Sequence, residues 1–144
     1  MNVSRSALLP FSARQMYQVI TDVGAYPEFL NWCDGVEIIS ESEDEMLAKL
    51  IISYGKLKFE FSTRNTLILD QSVTMSLVNG PFSSLDGQWQ IQNLNDEACK
   101  VELVMDFNFE SGFMQRIFGR VFQSVIAAQF DAFQKRAKDL HGKV

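Results

Sequence analysis

"CKVELVMDFNFESGFMQRIFGRVFQSVIAAQF" spans residues 99–130 and changes its period half-way. In the first part Val101, Leu103, Met105, Phe107 and Phe109 alternate with Lys100, Glu102, Asp106, Asn108 and Glu110. That period of two marks a strand with one dry and one wet face. Beyond Ser111 and Gly112 the apolar residues recur every three or four positions. From about Gly112 to Leu140, Met114, Phe118, Val121, Phe122, Val125, Ile126, Phe130, Phe133 and Leu140 cover half of a helical wheel. Arg116, Arg120, Gln123, Ser124, Gln134 and Lys138 cover most of the rest. The exception is Gln129, which falls inside the apolar arc. A strand and a long helix thus follow one another, each with an apolar face that must be buried.

Upstream, the same alternation repeats. "EMLAKLIISY" (45–54) reads as a strand with Lys49 on its wet side, and in "LKFEFSTRN" (57–65) Leu57, Phe59 and Phe61 share a face. Val73, Met75 and Leu77 continue the pattern, as do Trp89 and Ile91 in "LDGQWQIQ" (85–92). Val36 and Ile38, after Gly35, open the series. The connections "SEDE", "YGK", "LDQS" and "NLNDEA" are short, which predicts an antiparallel meander. Before it, "SRSALLP" (4–10) reads as a short strand ending at Pro10. "FSARQMYQVITDVG" (11–24) reads as a helix with Ser12 as N-cap, Gln15 completing a capping box, and Gly24 as stop. "AYPEFLNWC" (25–33) reads as a second short helix with Pro27 in its first turn. The fold class is therefore α+β: a curved antiparallel sheet of six or seven strands wrapped around the C-terminal helix, with two short helices after the first strand. This is the helix-grip architecture. A helix on a curled sheet either forms a plain packed core or encloses a ligand.

The 144 residues, 47% hydrophobic, suit one globular domain over 1–144 that needs no disulfide staple. Cys33 and Cys99 are expected as reduced core thiols. The N-terminus shows no secretory pattern and no run is long enough to cross a membrane, so the expected location is the cytoplasm, with peripheral membrane contact left open. Net charge is −5, unevenly spread: residues 113–144 hold six Lys or Arg against two Asp, a balance of +4 that leaves −9 on residues 1–112. An acidic body argues against DNA binding, while the basic end leaves a contact to phosphates or lipid head groups open. Arg116, Arg120, Lys135 and Lys138 are the candidate partner surface.

No catalytic or metal constellation stands out. The single histidine, His141, lies near the C-terminus, and one His with two separated Cys does not supply three or four ligands. "NGPFSSLDG" (79–87) lacks phosphate-loop spacing and reads as a turn broken by Gly80 and Pro81. The acidic "ESEDE" (41–45) reads as a solvated hairpin tip. Neither catalytic residues nor a cofactor are expected.

Three stretches carry a resemblance: "YPEFLNWC" (26–33), "NGPFSSLDGQW" (79–89) and "FNFESGFMQRIFGRVFQSVIAAQFDAFQKRA" (107–137). With "LIISYGKLKFEFSTR" they resemble, over nearly the whole chain, the START-like family joining mitochondrial coenzyme Q-binding proteins and bacterial ribosome-association toxins of the RatA type. Asn31 stands where that family commonly has Pro. The resemblance implies a helix grip that binds rather than catalyses. Its first implied ligand is ubiquinone or a similar polyprenyl lipid, in support of respiration. The alternative is a bacterial toxin that binds the ribosome, through its large subunit, and blocks subunit association. A polyketide cyclase-like enzyme is third. Leu30 and Trp32 match the segment implicated in quinone binding. With Phe29 they are expected at one end of a cavity. Phe59, Phe61, Trp89, Met105, Phe107, Phe109, Phe118, Phe122, Val125, Ile126 and Gln129 are expected around it. As a buried amide, Gln129 is expected to meet a ligand, a water, or a sheet residue such as Thr63 or Asn65.

Overall fold

The computed structural model describes residues 1–142. Strand β1 (Asn2–Leu9) leads into helix α1 (Ala13–Thr21), a 3-10 turn (Val23–Ala25) and the short helix α2 (Tyr26–Phe29). Six strands follow: β2 (Cys33–Glu41), β3 (Glu45–Tyr54), β4 (Leu57–Ile68), β5 (Ser72–Asn79), β6 (Phe82–Asn95) and β7 (Ala98–Phe109). Helix α3 (Gly112–His141) closes the chain. The strands form one antiparallel sheet in the order β1-β7-β6-β5-β4-β3-β2, so β1 crosses over to pair with the end of the meander. The expected architecture is present.

The sheet curls because its ladders are irregular. Register shifts occur in β2 at Cys33/Gly35 and Ile38/Ser40, between β4 and β5 at Ser62/Thr63, and in β6 at Phe82/Ser84 and Asn93/Asn95. Each extra residue bends its strand and increases the local twist. The β5–β6 ladder runs only as far as Ser76↔Asp86, and beyond it the two strands part, 77–79 staying on β4 and 82–85 on β7. "NGPFSSLDG" is thus mostly strand β6, and only Gly80 and Pro81 make the break. Gly80 has φ 151°, and a Cβ there would stand 2.7 Å from the Phe61 Cβ, so no other residue fits.

Helix α1 starts as read: the Ser12 hydroxyl accepts from the Gln15 N–H, and the Gln15 side chain accepts from the Ser12 N–H at 3.0 Å. It ends at Thr21, before Gly24, which lies in the 3-10 turn. The second helix is shorter than expected. It stops at Phe29, because Leu30 is extended and Cys33 N–H turns back to the Leu30 carbonyl at 3.0 Å. Trp32 therefore sits in a turn, fixed by the Ser53 N–H donating to its carbonyl at 2.8 Å.

Helix α3 is capped by Ser111, whose hydroxyl accepts from the N–H groups of Phe113 and Met114. Its backbone runs closest to β1, β7 and α1 and stands off from β3–β5. Gln115 accepts from the Phe109 N–H at 2.8 Å, and Gln123 donates to the Asn2 carbonyl at 3.0 Å, which holds the helix over the β1–β7 side. Leu140, placed in the apolar arc, is exposed, while the small residues Gly119 and Ala137 are buried in its stead. Cys33 and Cys99 are free and buried.

Candidate functional site

Where α3 stands off from the sheet, a cavity of about 50 Å³ remains. Ala48, Leu50 and Ile52 of β3 form one wall, and Phe122, Val125 and Ile126 of α3 form the facing one. Trp32, Tyr26 and Val23 close one end, and Met75 and Met105 reach in from β5 and β7. Three polar side chains enter this apolar shell: Thr63 and Asn65 from β4 and Gln129 from α3. Thr63 and Asn65 point inward because they continue the face of Phe61 at a spacing of two. Both are buried, and the Thr63 hydroxyl donates to Asn65 Oδ1 at 2.8 Å. Tyr26 is held by its phenol, which donates to the Ile20 carbonyl. Burial pushes that phenol far above its ordinary range, with the nearby Cys33 and Asp22 adding to the shift. It stays protonated and keeps its donor on the Ile20 carbonyl.

Half of the expected lining residues lie elsewhere. Trp32, Phe61, Met105, Phe122, Val125, Ile126 and Gln129 do face the cavity. Phe59, Phe107 and Phe109 do not. With Phe61, Phe82 and Phe122 they fill a solid aromatic plug, Phe82 stacking on Phe109 at 4.8 Å and Phe107 meeting Phe122 edge-on at 4.9 Å. Phe118 is half-buried against this core without reaching the cavity. Trp89 belongs to a second plug, stacked on Phe130 at 5.9 Å and on Phe133 at 5.1 Å. Leu30 is buried beneath the α2 turn but off the cavity wall. Phe29 is half-buried off the cavity, its ring against those of Tyr26 and Phe133 and under the Arg136 guanidinium at 5.0 Å. The physical reason is common to all of these: alternation assigns a residue to the inner face but not to a depth along it, and close packing fills both ends of the barrel first. The wall contributed by Ala48, Leu50 and Ile52 was missed. It was readable from the positions alternating with Lys49.

The four candidate partner cations are all exposed on the outer face of α3, and none enters an ion pair among the described residues. They fall into two pairs. Arg120 and Lys135 are separated by about 22 Å of helix at 1.5 Å per residue. Beside the first pair, Phe113 is 63% exposed and Ile117 45%. Lys135 and Lys138 instead border a groove of about 840 Å³ that they share with Asp96 and Glu97, so their field is partly cancelled. No acidic residue lies between Glu110 and Asp131, which makes the Arg116–Arg120 end the more strongly basic one.

Among the described residues no three His, Cys, Asp or Glu side chains are grouped to hold a metal ion, and no helix is long and apolar enough to cross a membrane.

A model of the family described as polyketide cyclase / dehydrase and lipid transport matches residues 9–134. The chain belongs to this family. Within it, the chain is 40% identical over 141 residues to the ribosome association toxin RatA of Pseudomonas aeruginosa, covering 98% of both chains. It is 24% identical over 144 residues to the mitochondrial coenzyme Q-binding protein COQ10 homolog B of Xenopus laevis, covering 97% of this chain and 59% of that one. The Zhui aromatase/cyclase of Streptomyces sp. R1128 has the same fold, with a TM-score of 0.83 at 17% identity over 96% of this chain and 93% of that one. The same fold thus serves proteins named as a ribosome association toxin, a coenzyme Q-binding protein and an aromatase/cyclase. What distinguishes them is cavity and surface rather than fold.

Proposed function

We propose that this protein acts without catalysis as a ribosome-association toxin: it binds the ribosome in the cytoplasm and keeps the subunits apart, inhibiting translation. The observation that carries this reading is 40% identity, over 98% of both chains, to a relative named for that role. The outer face of α3 supplies suitable chemistry. Arg116 and Arg120 are exposed, unpaired among the described residues and free of acidic neighbours along the helix for ten residues beyond Arg120. Arginine forks match phosphate oxygens, and exposed Phe113 offers a ring for stacking on a base.

The test is subunit joining in vitro. Purified protein in excess should abolish the light-scattering rise when small and large ribosomal subunits are mixed. Arg116→Glu/Arg120→Glu should restore that rise, and Lys135→Glu/Lys138→Glu should restore less of it. Association should weaken as salt rises, in proportion to the phosphate contacts made. Normal joining at stoichiometric excess of the wild type would refute the reading.

A second reading is favoured by the cavity: an apolar ligand carrying a polar group, of which ubiquinone or another polyprenyl lipid is an example. An inner wall that is apolar except for Thr63, Asn65 and Gln129 supports it, as does the likeness to a coenzyme Q-binding protein. The closed cavity is too small for a quinone ring, since benzene takes a space of about 150 Å³. Such a ligand must therefore open the pocket. Native mass spectrometry of protein purified without detergent, followed by organic extraction, tests this reading. Protein that carries no lipid and takes up none from quinone-containing vesicles would end it.

A further inference from the structure

Two features of the cavity have no role in a solid core. The first is polar. Asn65 is 7% exposed, and its Oδ1 is already taken by the Thr63 hydroxyl. Its Nδ2 donates to no protein acceptor among the described residues, and neither does the Gln129 amide, which lines the same small space from the opposite wall. Asn65 is buried and Gln129 half-buried, and both amides border the cavity, which can supply an acceptor only as a water or as a single ligand oxygen. The second is mechanical. A Cβ placed on Gly87 would lie 2.8 Å from the Met75 Cε and 2.9 Å from the Met105 Cε. Two methionine ends therefore rest in the space that any other residue at position 87 would occupy. Methionine is unbranched, with several rotatable bonds, and repacks at little cost. Both methionines line the cavity.

We propose that the cavity is the closed state of a pocket for an apolar molecule bearing a carbonyl oxygen: the Met75 and Met105 side chains swing off Gly87 to admit the apolar body, and the Asn65 and Gln129 amides donate to the oxygen. The proposal rests on the second reading above and adds the ligand's recognised group and the moving parts. A hydrocarbon of the same shape must displace water from the amides and leave them unpaired. A ketone replaces the water with its own acceptor.

The probes are 1-indanone and indane, which share a fused-ring body and differ by the carbonyl. Protein labelled with methyl-13C methionine reports the opening, and titration of the methyl signals gives both affinities. 1-Indanone should shift the Met75 and Met105 methyls while leaving Met114, which lies outside the cavity, in place. It should bind at least tenfold more tightly than indane, about 1.4 kcal/mol. Gln129→Leu should bring the two affinities within about threefold while indane binding holds or improves. Asn65→Leu should do the same, but it also removes the acceptor of Thr63. Gln129→Leu leaves that pair intact and so keeps the test valid if Asn65→Leu does not fold. Equal affinities in the wild type, or a preference that survives Gln129→Leu, would overturn the carbonyl recognition while leaving an apolar pocket standing. Binding without movement of the Met75 and Met105 signals would overturn the opening. No binding of either probe would overturn the proposal together with the ligand reading beneath it.

Discussion

Phe122 stands at the border between the packed and the open parts of the interior. Its ring meets those of Phe59, Phe61, Phe82, Phe107 and Phe109 at centroid distances of 4.9–6.2 Å, and its other side lines the cavity. Phe122→Ala removes a fully buried phenyl, worth about 2 kcal/mol of transfer free energy. It also leaves a void of roughly 100 Å³, which at 24 cal/mol per Å³ adds about 2.4 kcal/mol. The expected loss is thus about 4 kcal/mol, inside the range for buried Phe→Ala. Lost edge-to-face pairs raise it further. The new void joins the existing 50 Å³, for a total on the order of the 150 Å³ that binds benzene in a dry protein cavity. Urea unfolding followed by circular dichroism should show a lower midpoint with an unchanged slope. Benzene at ten times its dissociation constant for the variant should then return about 1.4 kcal/mol to the variant and less to the wild type, whose pocket must first open. A loss below about 1.5 kcal/mol would mean that the plug is loosely packed. The full loss without benzene rescue would mean that plug and cavity are not contiguous.

Four further outcomes are expected. Val125→Trp should cost on the order of 1–3 kcal/mol, read as a lower melting temperature, because an indole exceeds the 50 Å³ in front of it. Gly80→Ala should cost on the order of 1–3 kcal/mol in urea, since φ 151° and the Phe61 Cβ both oppose a side chain. Gly112→Ala, at the start of α3 with no atom within 4 Å of the added methyl, should leave the urea midpoint unchanged or raise it. Burial pushes the Cys99 thiol up to about 11 and raises Cys33, so both stay protonated in the folded state where the unfolded thiols ionise. Their contribution is full below about pH 9 and is lost as pH rises toward 11, so urea midpoints should be flat from pH 7 to 9 and fall above it.

The order of elements was legible because each face repeats without interruption. On β7 every odd residue from Cys99 to Phe109 is buried, as the alternation demands. The capping box at Ser12 and the start of α3 were legible for the same reason, since their signals are local. The end of α2 was not. The turn at Leu30 is fixed by Trp32 and Ser53, which pair only once β3 lies alongside. In the candidate site, the place of Gln129 on the wheel marks it as an oddity, and Thr63 and Asn65 enter only as sheet residues that could meet it. The Phe residues were assigned to the cavity because composition carries no information on depth. Only packing separates Phe61, which reaches the cavity, from Phe59 and Phe109, which do not. Likewise the charge count on residues 113–144 gave the sign of the α3 surface but not its division into two pairs, which follows from helical rise and from the acids of the β6–β7 turn.

The crossover of β1 has a consequence in time. About 90 residues separate Leu9 from its partner Cys99 in the β1–β7 ladder. At 5–20 residues per second a chain under synthesis carries β1 without that partner for roughly 5–20 s. The hairpins from β2 to β7 pair neighbours in sequence and close during this interval, since short loops cost little entropy. The docking of β1 on the free edge of β7 must wait until β7 is made. Docking brings the Asn2 carbonyl within reach of Gln123 and draws α1 under α3. The earliest strand made is thus among the last to find its partner.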